Sequence, residues 1–244
     1  MPQIMERLKY LLLNNKIAKL IEILAVFIVA GFIIFIFLEP GPDNLINNQI
    51  VLWVANILML IMVWLGIKIR GESWESLGLG LKKQSLKSIL KTVLRSLLVF
   101  IIAMTGFIIG SIIMANIVGI PEGANMSNYS FLKDNFGMLL LMLAGVYIVS
   151  SFGEEVIYRG FLITRFSQFG TVTKTSKILA VILSAIIFGF AHYSWGPMGI
   201  VQTFFMGLAL GFCYIYMKRN LWVLILAHAY MDTILMVQMY LASN

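Results

Sequence analysis

Five side chains combine acid and imidazole within otherwise apolar stretches of this sequence: Glu154, Glu155, His192, His228 and Asp232. The two histidines among them are all the chain has. A carboxylate and an imidazole that converge on one water make a general base, which takes a proton as the water attacks a carbonyl. A second imidazole with a polar neighbour can stabilise the oxyanion that forms. Glu154, His192 and His228 could alternatively ligate Zn²⁺ and leave one position open for water. Both routes end in hydrolysis of an acyl bond.

Spacing refines this picture. Glu155 and Arg159 are four residues apart, so on a helix they share a face and form an ion pair in the favourable order. Glu154 is rotated from Glu155 by roughly 100° on an α-helix, which leaves it free to face a cavity. His228 and Asp232 also stand four apart, as do Phe188 and His192, where the phenyl ring can wall the pocket and lower its polarity. Other hydrolytic chemistries lack their residues. There is no H-E-x-x-H zinc motif, no serine-nucleophile motif, and a single aspartate at membrane depth, so an aspartyl dyad is excluded. Cys213, the sole cysteine, rules out an internal disulfide and a cysteine-based zinc site and reads as a buried small hydrophobe.

The elements that must carry these groups are transmembrane. Of the 244 residues, 60% are hydrophobic and 12% charged, and the mean hydropathy is +0.93. A soluble domain of this size needs more polar surface. Apolar runs at 20–38, 50–67, 94–118, 137–153, 178–191, 200–217 and 221–241 approach or exceed the roughly 20 residues that cross a bilayer. The fold expected is all-α, a polytopic transmembrane bundle of about seven segments. Its N-terminal helices and a basic loop would occupy residues 1–136, and a core that carries the acids and imidazoles residues 137–242. The first run is too long for the core of a cleaved signal peptide. Glu22, three residues from Lys19, reads as structural and able to reach the interface.

With the N-terminus cytoplasmic and every segment crossing, all 18 Lys and Arg residues except Lys133 fall on the cytoplasmic side, as the positive-inside rule requires. The net charge of +7 therefore speaks for the membrane surface rather than nucleic acid. Lys83, Lys87, Lys91 and Arg95 recur every four residues, the pattern of a helix lying along anionic headgroups before the third span. Gly106 with Gly110, and Gly207 with Gly211, suit close helix packing. The LGLGL stretch at 77–81 lacks the βαβ unit of a dinucleotide loop. At about 1.5 Å per residue, His192 lies far from the cytoplasmic start of the fifth run whereas Glu154 lies near that face. Either the fifth segment begins later or tilts, or a water-filled cavity reaches well into the membrane; a broken or tilted segment is the favoured expectation.

Three of these stretches resemble the motifs of the CPBP family, the CAAX-protease and bacteriocin-processing membrane proteins. EEVIYRG at 154–160 is similar to its E-E-x-x-x-R motif, FGFAH at 188–192 to F-x-x-x-H, and HAYMD at 228–232 to a histidine followed four residues later by Asn or Asp. The resemblance spans about residues 137–240. It implies an intramembrane endopeptidase of membrane-associated substrates, with a cavity opening to the cytoplasm. In that family the match to Glu154 activates water, the match to His192 positions it, and the matches to His228 and Asp232 serve the oxyanion. Asp232 stands where eukaryotic CAAX endopeptidases have asparagine; an ionised aspartate cannot donate a hydrogen bond, so here it would orient His228. Members have been described both as metalloproteases and as metal-free glutamate proteases. The partners implied are the lipid bilayer and a membrane-associated peptide or protein; the length and simple loops of the chain favour a bacterial plasma membrane as the location. The rival reading is a non-proteolytic bacteriocin-immunity or scaffold protein. A proton-coupled transporter also buries carboxylates, but it predicts inverted repeats, and the hydropathy pattern has none.

Overall fold

A computed structural model describes residues 2–80, 85–119 and 127–241. Among these residues 88% are helical and none forms a strand. Seven helices have the length and apolar composition to cross a membrane, matching the seven apolar runs. A short helix, α1 (Pro2–Asn14), precedes α2 (Lys16–Phe37), α3 (Leu45–Arg70) and α4 (Leu86–Val118). Next, α5 (Phe136–Val146) runs through a π-helical segment (Tyr147–Leu162) into α6 (Ile163–Ser167). The last three are α7 (Lys174–Ala191), α8 (Gly196–Tyr216) and α9 (Leu221–Leu241).

Local chemistry sets the ends. Asn15 separates α1 from α2: its side chain accepts from the Ile17 and Ala18 amides at 2.8 and 3.1 Å, which satisfies donors the first turn would otherwise waste. Gly71, at φ 69°, closes α3, and the amide after it bonds back to the Ile67 carbonyl at 3.0 Å, a left-handed cap that a Cβ would disfavour. Thr173 and Ser176 form a reciprocal capping box at the start of α7.

Three expectations change. The basic stretch before the third span is no separate surface helix but the first turns of α4, which runs unbroken to Val118. At about 1.5 Å per residue α4 outlasts the hydrocarbon layer. Lys87, Lys91 and Arg95 are exposed on it; Lys83 lies outside the described residues, as do Leu81 of the LGLGL stretch and the 120–123 turn. The fourth helix does not stop at Gly153, because the buried Val156, Ile157, Phe161 and Leu162 hold it in the protein beyond that point. The fifth segment is not broken: α7 is continuous, capped at its start and free of proline.

The chain forms two compact units, each built from separate stretches. The first comprises Met1–Ser76, Asn125–Ile157 and Asp232–Asn244. Within it α2 and α1 pack on α3, and Glu22 takes both hydrogen bonds of the Arg70 guanidinium edge, one of them at 3.2 Å from Nε. Glu22 is thus held in an interhelical ion pair, in keeping with its reading as structural; its side chain is 8% exposed. Gly66 makes room, since a Cβ there would stand 2.5 Å from Glu22 Oε1. An apolar cluster of Leu132, Leu139, Met142, Val146, Met236 and Met239 joins α5 to the end of α9, with Trp53 of α3 set into the gap at Gly145.

The second unit comprises Leu77–Ala124 and Tyr158–Met231. Here α8 packs between α4 and α7, and the small residues singled out in the sequence are the contact points. A Cβ at Gly110 of α4 would lie 2.8 Å from the Gln202 Cα, and one at Gly211 of α8 would lie 2.7 Å from Val181 of α7. Close approach of this kind gives van der Waals packing in a medium that supplies no hydrophobic drive between helices. The 77–80 stretch docks on the α8–α9 turn: Leu77 O accepts from the Tyr214 hydroxyl at 2.9 Å, and Gly80 O from the Trp222 indole at 3.0 Å.

Candidate active site

The π-helical segment carries both glutamates. Its i→i+5 bonding widens the turn, so the angle between Glu154 and Glu155 is narrower than α geometry predicts. Wide turns of this type are rare and recur at functional sites. Glu155 is completely buried and Glu154 partly so. In the same unit the Ser151 hydroxyl donates to Asp232 Oδ2 at 2.6 Å, both groups being buried. One residue further along α9, Thr233 and the Tyr147 hydroxyl are 2.8 Å apart. Asp232 is therefore anchored to the segment that bears the glutamates, one turn ahead of them.

The second unit gathers Arg159, Phe188, His192 and His228. His192 caps α7, and its Nδ1 stands 2.9 Å from the Phe188 carbonyl oxygen. A carbonyl oxygen only accepts, so Nδ1 carries the proton and donates it, and the neutral ring keeps its lone pair on Nε2. The ring is held edge-on by two aromatics, Phe188 with centroids 4.8 Å apart and Trp195 at 5.0 Å. The Arg159 guanidinium lies over the Phe188 ring, its Cζ 4.2 Å from the centroid, an arrangement the ring quadrupole favours. Tyr158 meets Phe188 edge-on at 4.9 Å, and its carbonyl accepts from the Ser184 hydroxyl at 2.6 Å, which ties the segment to α7. His228, almost fully buried, and Arg159 both act electrostatically on the His192 ring.

Three residues here were not singled out from the sequence. Ser151 stands four before Glu155, Trp195 three after His192, and Asn56 is an amide inside the second apolar run. Helical spacing to an acid or imidazole was the available signal for the first two. Among the described residues no three side chains of His, Cys, Asp and Glu gather as metal ligands would, and no step below passes through a metal.

A helical protein with seven candidate spans, which buries Glu155, Arg159, His228 and Asp232, is a multi-pass membrane protein whose buried ionisable groups mark a functional site. Residues 136–234 match the family model described as type II CAAX prenyl endopeptidase Rce1-like, in keeping with the resemblance of the three motifs to the CAAX proteases. All the candidate site residues lie inside the match. The matched stretch is thus similar to membrane-embedded proteases of the CAAX type. No curated protein and no solved structure matches the chain.

Proposed function

We propose that the protein is an intramembrane endopeptidase that hydrolyses peptide bonds of membrane-associated substrates, with Glu154 as general base. The observation that carries this reading is the fixed His192 ring, with its Nδ1 proton committed to the Phe188 carbonyl and its Nε2 lone pair left for a water proton. The Glu154 carboxylate takes the other proton as the water oxygen bonds to the scissile carbonyl carbon. An N–H of His228 donates to the developing oxyanion, and Asp232 orients that ring. The C–N bond then breaks, and the proton held by Glu154 passes to the departing amine. Glu155 and Arg159, four residues apart in sequence, are assigned a supporting role, and Phe188 walls the His192 ring against water. Substrates are CAAX-type proteins or bacteriocin and leader peptides, reached from the cytoplasmic face of a bacterial plasma membrane.

The test is cleavage of a farnesylated fluorogenic CAAX peptide, and of an apolar leader peptide, by the full chain in liposomes. Glu154→Gln is expected to lower kcat by about 10²–10⁴-fold, the span that positioned acid–base groups contribute. Equal turnover by this variant would remove the central claim. The same preparation, assayed for zinc and for chelator sensitivity, separates a side-chain mechanism from one in which Glu154, His192 and His228 hold Zn²⁺. Protection against a bacteriocin that survives both Glu154→Gln and His192→Ala would favour immunity by binding.

A further inference from the structure

One polar side chain near the glutamates has no place in that mechanism. Asn56 lies in the interior of α3, and its Oδ1 is buried without a hydrogen-bond partner. Burying an unpaired amide oxygen costs free energy, and an apolar residue would avoid that cost in a helix whose neighbours are Val54, Ala55, Ile57 and Leu58. The place where this oxygen sits is specific. A Cβ on Gly153 would stand 2.8 Å from Asn56 Oδ1 and 3.3 Å from Leu60 Cδ1. Gly153 is thus the notch that admits the amide, and Glu154 is the next residue.

The notch lies within the π-helical segment Tyr147–Leu162. Wide turns are the rarer and less favourable helical geometry, so such a segment depends on lateral contact to keep its orientation. On α3 the contacts come at helical spacing, Trp53 at Gly145 and then Asn56 and Leu60 at Gly153. The first is a large apolar ring well upstream of the glutamates. The second is a small carbonyl oxygen against glycine Cα–H groups, a contact that polar oxygen makes favourably and a branched aliphatic side chain is too bulky to reproduce.

We propose that Asn56 is a positioning residue for Glu154, acting through Gly153 to hold the wide turn in the orientation that catalysis needs. This rests on the reading of Glu154 as the base. A base displaced by a fraction of an ångström loses rate more than affinity, so the signature is a fall in kcat at constant KM.

The experiment combines hydrogen exchange with cleavage of the farnesylated CAAX peptide by the full chain in liposomes. Asn56→Ala and Asn56→Leu are each expected to speed amide exchange over residues 150–158 by about tenfold while leaving α7 unchanged. They should also lower kcat by about tenfold with KM within about twofold. Gly153→Ala should do the same, and the Asn56→Ala/Gly153→Ala pair should be no worse than Gly153→Ala alone, because the methyl group occupies the space the amide leaves. Trp53→Phe should lower Tm without altering exchange over 150–158. Unchanged exchange in the Asn56 variants, or strictly additive effects in the pair, overturns the proposal whether or not the peptide is cut. Full cleavage by Glu154→Gln instead overturns the reading of the base, and the exchange data then still judge the Asn56–Gly153 contact.

Discussion

Ser151 and Asp232 show how an acid is kept inside a membrane domain. The aspartate on α9 takes the serine hydroxyl at 2.6 Å, and both groups are buried. Removing one partner of a buried hydrogen bond exposes the other to its full desolvation penalty. Ser151→Ala is therefore expected to cost about 1–3 kcal/mol, measured as a lowered Tm in detergent. Asp232→Asn keeps an acceptor for Ser151 and should be milder in Tm. A Ser151→Ala variant as stable as the parent would show that the bond contributes nothing. His192 is fixed in another way, by the Phe188 carbonyl and by two aromatic edges, so its tautomer is set by neighbours within four residues. That part of the site was close to legible in the sequence, because F-x-x-x-H places ring and imidazole on one face.

At the scale of elements, glycine placement determines which helices meet. On α4, Gly106 and Gly110 face α8, whereas on α8 itself Gly207 and Gly211 face α7. One helix is thereby held on two sides by backbone approach. Gly110→Leu would push a side chain into the Gln202 backbone, where nothing flexible can give way. Overpacking of this kind costs about 1–3 kcal/mol, and a thermal melt of the purified protein should show it. The same substitution at Gly31, around which a Cβ would find nothing within 4 Å, should be neutral. The four-residue glycine spacing was readable in the sequence. Which neighbour each pair would meet was not.

For the whole molecule, the number of apolar runs and the distribution of Lys and Arg lead to one expectation, an N-terminus inside and Lys133 outside. The lone native thiol, Cys213, is buried, so introduced cysteines report cleanly. A membrane-impermeant thiol reagent on intact cells should label Lys133→Cys and spare Lys87→Cys, with the order reversed in inside-out vesicles. Labelling of both from one side would refute the topology and, with it, a site served from the cytoplasm.

The sequence by itself determined the fold class, the seven spans and the set of acids and imidazoles, because hydropathy and residue type are properties of each stretch alone. It also carried the resemblance to the CAAX proteases, through motifs whose residues lie within short local stretches. Tertiary structure decided the rest. Glu22 is buried against Arg70 of α3, the fourth helix continues past Gly153 in π geometry, α4 absorbs the basic stretch, and Asn56 enters the notch at Gly153. Each of these depends on what a neighbouring helix presents at that level. A one-dimensional pattern cannot encode it, because helical periodicity gives the face a residue occupies but not the partner that face will meet.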